Sequence, residues 1–239
     1  MDNKIFLCEM NMKEFEVVIE SGSPIIIPVG AMEEHGSHLP LNTDTIQPEK
    51  IAAMVAEMVG GAIAPTVNYG NCSTTRNFPG TISIDTETLR MLMFEILCEF
   101  GRHGAKNIVV LSGHAGSSHM AALREAGKDF LNEYECKLMV LSDYDIAYKL
   151  KDELELPKND GHGGMIETSR VLDIRPDLVG RGEDFVPTFP PFRVLKDPQV
   201  HFEGGIMGFP SRASIEFGQR LNLRIARELA DMVSEMVEE

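Results

Sequence analysis

Four short apolar runs, separated by segments of helical period, constrain the fold of this chain more than any other feature. Pro24 to Val29 (PIIIPV) reads as a buried strand, and Ala62 to Val67, Asn107 to Leu111 (NIVVL) and Leu138 to Leu141 (LMVL) read the same way. Runs of this kind carry apolar side chains on both faces, as parallel strands covered on both sides do. After the first run, Ile51, Met54, Val55, Met58 and Val59 mark one face of a helix, with Pro48 placed in its first turn. Leu89, Leu92, Met93, Ile96, Leu97 and Phe100 repeat at helical spacing behind a candidate N-cap at Asp85. A further helix is predicted from about Ser118 to Leu131, and a last one carries Ile215, Leu221, Ile225, Leu229, Met232 and Met236. The alternation predicts an α/β fold with a mostly parallel sheet covered by helices on both faces. The Pro- and Gly-rich stretch Gly180 to Gly208 is predicted to fold over the surface or to meet a neighbouring subunit.

A chain of 239 residues, 43% of them hydrophobic, is long enough for one domain, 1–239, with a full core. No repeat, low-complexity tract or linker divides it. The net charge of -15 repels phosphate backbones and anionic lipid heads, so neither nucleic acid nor a membrane is an expected partner. No run approaches the roughly 20 apolar residues of a membrane span, and Met1 to Met12 is too charged for a signal peptide. Cys8, Cys72, Cys98 and Cys136 are widely spaced, so they read as reduced core or surface thiols of a cytoplasmic protein, not as a thiolate zinc site.

The chemistry is expected where strands end, because ligands of open α/β sheets gather beyond the carboxyl ends of the strands. Two segments leave strands and turn polar at once: Gly30 to Asp44, holding Glu33, Glu34, His35, His38 and Asp44, and Ser112 to His119, holding His114. If the first and third strands are neighbours, these loops meet. Imidazole with carboxylate suits Zn, Mn or Fe(II), and a carboxylate is able to bridge two such ions. A third segment, Asp160 to Arg170, carries His162 on a Gly-rich loop and Glu167 at a short helix. Taken singly, His114 reads as readily as a helix-cap or core histidine, and His162 as a residue of an ordinary turn. The stretch Asn68 to Asn77 is polar, and Ser73 and Arg76 within it, with Ser117 of the second segment, are the expected substrate-binding groups.

Pro28-Val29-Gly30-Ala31-Met32-Glu33-Glu34-His35-Gly36, with His38-Leu39-Pro40 and Thr43-Asp44, resembles the opening signature of the creatininase family of amidohydrolases. Asn77 to Ser83 (NFPGTIS), Ser112-Gly113-His114, His162-Gly163-Gly164 through Glu167-Thr168-Ser169, and Gly205 to Pro210 resemble its later motifs, in order and over nearly the whole chain. The resemblance implies a three-layer α/β/α fold, a homo-oligomer (often a hexamer), a small-molecule substrate and two divalent ions. Glu33, His35, Asp44 and His114 match the family's ligand positions, with Asp44 bridging, and His162 matches the histidine that transfers protons. Glu34 is the reserve candidate for general acid. Creatininase itself has a glutamate two residues after the matching histidine, where this chain has Gly116, and Ser112 stands where asparagine is typical. Glu167 is the candidate to supply the missing ligand.

The expected reaction is hydrolysis of a C–N amide bond, cyclic or N-formyl, on a small polar heterocycle. Creatininase uses tryptophans around its substrate, and this chain has none, so creatinine is expected to be a poor substrate. The family also holds formylaminopyrimidine deformylases of flavin and deazaflavin synthesis and a peptidase that trims a redox-cofactor precursor. Two other readings stand beside these. One is a phosphoesterase, disfavoured by the acidic balance and the lack of a basic clamp. The other is an oligomeric binding protein without catalysis, favoured by Gly116 and Ser112.

Overall fold

The computed structural model describes Lys4 to Glu239; Met1 to Asn3, part of the segment read above as no signal peptide, lie outside the described residues. Strands β1 (Ile25–Val29), β2 (Ala62–Ile63), β3 (Asn107–Ser112) and β4 (Lys137–Ser142) form a parallel sheet in the order β2-β1-β3-β4. Pairing of Ile25 with Ile108 through Val29 with Ser112 sets β1 beside β3, so the chain leaves their carboxyl ends at adjacent points. β1 connects to β2 on one side and β3 to β4 on the other, which makes this the place where the strand order reverses and ligands collect.

Among the described residues the chain forms seven α-helices: α1 (Met12–Glu20), α2 (Thr43–Val59), α3 (Thr86–Arg102), α4 (Ser117–Glu133), α5 (Asp143–Lys149), α6 (Met165–Ile174) and α7 (Ile215–Glu238). Alternate strand residues feed two cores. Ile26, Val109, Leu111 and Leu141 pack with Ile51, Val55, Leu221, Ile225 and Leu229 of α2 and α7. Ile25, Ile27, Val29, Ile108 and Val110 pack with Leu89, Met93, Leu97, Leu123 and Phe130 of α3 and α4. The period of two along each strand is therefore read out on both faces, and the result is the expected three-layer α/β/α sandwich. Among the described residues no helix is long and apolar enough to cross a membrane.

Two expected boundaries shift. The second strand is only Ala62–Ile63: Ala64 N still donates to Ile26 O, but the next donation to β1 comes from Val67 to Pro28 O, one residue out of step, so Val67 returns as a single bridge to Val29. Helix α2 starts at Thr43, so Pro48 lies inside it and not in its first turn. That early start puts Asp44 on the first turn, beside the loop after β1. Helices α1 and α5 are additions. Each opens with a capping box, Asn11 with Glu14 and Ser142 with Asp145, in which side chain and backbone satisfy one another's orphan donors. Gly180 to Gly208 is irregular, as expected, with short 3-10 turns at Pro198–His201 and Glu203–Gly205.

Candidate metal centre

The loop after β1, the start of α2, the loop after β3 and the start of α6 bring Glu33, His35, Asp44, His114 and Glu167 to one buried point, where no side chain is more than a tenth exposed. Nε2 of His35 lies 3.1 Å from Asp44 Oδ1 and 3.5 Å from Glu167 Oε2. Nδ1 of His114 lies 2.9 Å from Glu33 Oε2 and 3.0 Å from Asp44 Oδ2. Asp44 thus offers one oxygen to each histidine, the arrangement of a bridging carboxylate.

Main-chain carbonyls fix the imidazoles. Glu33 O lies 3.1 Å from His35 Nδ1, Asn71 O 3.1 Å from His114 Nε2, and Glu34 O 2.6 Å from His162 Nε2. A carbonyl only accepts, so these nitrogens carry hydrogens, and the opposite nitrogen of each ring is turned inward, the one a neutral imidazole would offer to a cation. Outer hydrogen bonds of this kind orient metal-binding histidines. The carboxylates show the complementary vacancy: Glu33 Oε2 and Asp44 Oδ2 are buried without a hydrogen-bond partner, although an imidazole nitrogen stands within 3.0 Å of each. Unpaired buried carboxylate oxygens are costly unless a cation neutralises them. Two sets of donors, Glu33 with Cys72 and His114, and His35 with Asp44 and Glu167, each fall within 4.8 Å of one another. These donors could hold divalent metal.

The buried charges of the cluster act strongly on one another. Burial disfavours a charged His35, yet Asp44 and Glu167 overcome it and lift the imidazole to about 10. Burial likewise opposes charge on His114, but Glu33 and Asp44 hold it well above the ordinary histidine value. Burial would raise Asp44, and His35 and His114 instead draw it well below the usual carboxylate range. By contrast, burial and the neighbouring His35 push His38 down to about 4, and burial pushes His119 down to about 3. Those two are neutral structural histidines. His38 bonds Thr168 Oγ1 at 2.9 Å, and His119 lies 3.1 Å from Ser112 Oγ.

Glu167 is held for its place. Gly163 has φ +62, a left-handed conformation suited to glycine, and its N–H donates to Glu167 Oε2. Asp160 ties the same loop to α6 by accepting from the N–H groups of Met165 and Ile166, at 2.8 and 2.9 Å. His162 stacks on His35 with ring centroids 4.1 Å apart and points Nδ1 toward Glu33 Oε2 at 4.0 Å. Glu34 does not reach the cavity in the direct role expected of a reserve acid. Its carboxylate accepts from Gly36 N at 2.9 Å and sits behind His162, so it braces the loop.

A cavity of about 210 Å³ opens over the cluster, lined by Glu33, Asp44, His114, His162 and Glu167. Of the expected substrate-binding groups, Ser73 and Ser117 line it, while Arg76 is exposed and outside it. The sequence reading misses Tyr144 and Tyr148, which form an aromatic wall with ring centroids 6.4 Å apart. The Ser142-x-x-Asp145 capping box is the signal that locates α5, and the i, i+4 spacing puts both rings on one face.

Gly116, where a glutamate was expected from the resemblance, is occupied by geometry. A Cβ there would lie 3.1 Å from His114 Cδ2 and closer still to Nε2. Replacing Gly116 by alanine is expected to displace the His114 ring and weaken metal binding ~10–100-fold, the range for disturbing a ligand's support; competition with a chelator measures it. Affinity unchanged from the parent protein would refute this account of the glycine.

Known proteins of similar sequence and structure point to one family. The family model described as "Creatininase: Creatinine amidohydrolase" matches residues 8–233. Creatinine amidohydrolase of Pseudomonas putida is 33% identical over 98% of this chain and 98% of its own length. The mycofactocin precursor peptide peptidase of Mycolicibacterium smegmatis is 32% identical over 87% of this chain and 83% of its own. The solved structure titled "Creatininase Mn" superposes with a TM-score of 0.90 at 31% identity, covering 99% of this chain and all of that one. A mutant creatininase titled "Zn-Zn type" also superposes with a TM-score of 0.90 at 31% identity, covering 99% of each chain. The chain belongs to the creatininase family and is a hydrolase of C–N amide bonds.

Proposed function

We propose that this chain uses two divalent ions to hydrolyse a small polar amide on a heterocycle, ring-closed or N-formyl, with creatinine a poor substrate. The observation that carries the reading is Glu167 closing the set of His35 and Asp44 in a chain that has glycine at position 116. One ion would sit among Glu33, His114 and Asp44, the other among His35, Asp44 and Glu167; relatives with Zn or Mn in their titles support either metal. Bound there, such ions supply an activated water and polarise the amide carbonyl.

The remaining work belongs to the protein. An amide nitrogen leaves only when protonated, so a proton must be delivered on the cavity side. His162 suits this: Nε2 is committed to the Glu34 carbonyl, Nδ1 faces the cluster, and Glu33 and Glu34 favour its protonated form against burial and His35. Thr75 donates to Glu33 Oε1 and so leaves Oε2 as the inward oxygen. Tyr144 and Tyr148 offer flat walls to a ring in a chain without tryptophan, and Ser73, Thr74 and Ser117 offer hydrogen bonds to its edge. The fully exposed Phe192 and Val194 on the irregular arm support its packing on a second copy, as in a homo-oligomer.

Elemental analysis with kinetics tests the reading. Purified protein is expected to carry two ions per chain and to cleave a formylaminopyrimidine nucleotide with a higher kcat/KM than creatinine. Creatinine turnover equal to that of the Pseudomonas putida relative would overturn the substrate, and a protein that binds no divalent ion would overturn the mechanism. Replacing Glu167 by glutamine is expected to leave one tightly bound ion. Retention of two with unchanged affinity would remove Glu167 from the centre.

A further inference from the structure

Cys72 differs from the other three cysteines. Its side chain is 1% exposed, yet it lines the cavity and not an apolar core. Its sulfur, a Glu33 oxygen and a His114 nitrogen all lie within 4.8 Å of one another. The other two members of this set are prepared for a cation. Thr75 occupies Glu33 Oε1, leaving Oε2 buried and without a partner. The Asn71 carbonyl takes the hydrogen on His114 Nε2, leaving Nδ1 inward. Asn71 and Cys72 are consecutive, so one short stretch of chain orients the histidine through its carbonyl and presents the sulfur. The Cys72 N–H donates to Ser83 Oγ at 2.9 Å, which anchors that stretch.

We propose that Cys72 is a thiolate ligand of the ion held by Glu33 and His114, so that one ion of the pair has sulfur, nitrogen and oxygen donors and the other only nitrogen and oxygen. The inference rests on the two-ion reading above. On coordination the S–H bond is lost, its electron pair goes to the ion and its proton to solvent. A soft sulfur donor favours Zn, Co or Fe(II) over Mn at this one position, which makes a mixed-metal centre the expected state in a medium containing both kinds.

X-ray absorption on the zinc-loaded wild-type protein gives a direct answer. A sulfur scatterer at ~2.3 Å is expected, at half an atom per zinc, beside nitrogen and oxygen at ~2.0–2.1 Å. The cobalt-loaded protein is expected to show a near-ultraviolet sulfur-to-cobalt charge-transfer band. Cys72→Ser should abolish that band while two ions remain, and should shift preference toward Mn; Cys8→Ser should leave it intact. Two bound zinc ions with nitrogen and oxygen scatterers only would overturn the proposal, even if the Cys72 variant does not fold. A cobalt band that survives Cys72→Ser would also overturn it. A wild-type protein that takes up neither metal would instead bring down the two-ion reading, so the two failures are told apart.

Discussion

Alanine at position 44 is expected to strip both ions from the centre and to lower turnover at least about a thousandfold, which corresponds to ~4 kcal/mol of lost transition-state stabilisation. Among the described residues Asp44 is the only carboxylate that pairs with both His35 Nε2 and His114 Nδ1, through Oδ1 and Oδ2 respectively. Removing it leaves each set of donors one short. The fold should survive, because Asp44 sits on the first turn of α2 and the buried residues Ile51, Ala52, Val55 and Ala56 further along that helix hold it to the sheet. Elemental analysis and circular dichroism of the same sample check both halves. Two tightly held ions in a folded Asp44→Ala protein would rule out a bridging role.

The second large effect is on stability. Arg170 of α6 is fully buried, pairs with Asp143 at 2.6 Å and donates to Asn222 of α7 at 2.8 Å. Burial pushes the Asp143 carboxyl up, and only the Arg170 charge opposes it. Replacing Arg170 by methionine keeps volume but strands that carboxylate, a change that costs ~3–5 kcal/mol out of the ~5–15 kcal/mol that stabilises a typical domain. Urea unfolding should show the loss. The double replacement Asp143→Asn with Arg170→Met should recover most of it, because no buried charge is then left alone. If the double variant is as unstable as the single one, packing and not charge explains the site. The pair also ties α5, which carries Tyr144 and Tyr148, to α6, which carries Glu167, so loosening it should reach the cavity.

Much of this was legible because the signals were local. Buried strands such as Ile25–Val29 announce themselves by β-branched runs, and the loops that follow announce themselves by an abrupt turn to His, Glu and Asp. Pro48 misled because a proline more often opens a helix than interrupts one; here Gly113 packs against both the Pro48 ring and the Asp44 carbonyl that the proline cannot bond. Tyr144 and Tyr148 were not legible as site residues: the capping box and the i, i+4 spacing put both rings on one helix face, but only the adjacency of β3 and β4 turns that face to the cavity. Cys72 falls in the polar stretch read as substrate-binding but was taken for an ordinary reduced thiol. Arg76 was read into the cavity for its chemistry, but the chain turns it outward beyond Thr75.

The three carbonyls that hold His35, His114 and His162 belong to Glu33, Asn71 and Glu34, and they bear on how such a centre can change over generations. An orienting group made of main chain is not rewritten by a codon change. Any residue at position 71 presents the same oxygen to His114, so the lineage is free to vary the cavity-lining side chains at 73 and 74 and try new substrates without misaligning the imidazole. Only insertions or deletions, which move the backbone itself, break that support. Diversification of specificity is therefore expected to proceed by point substitution within this stretch, with its length held constant among descendants that keep the same chemistry.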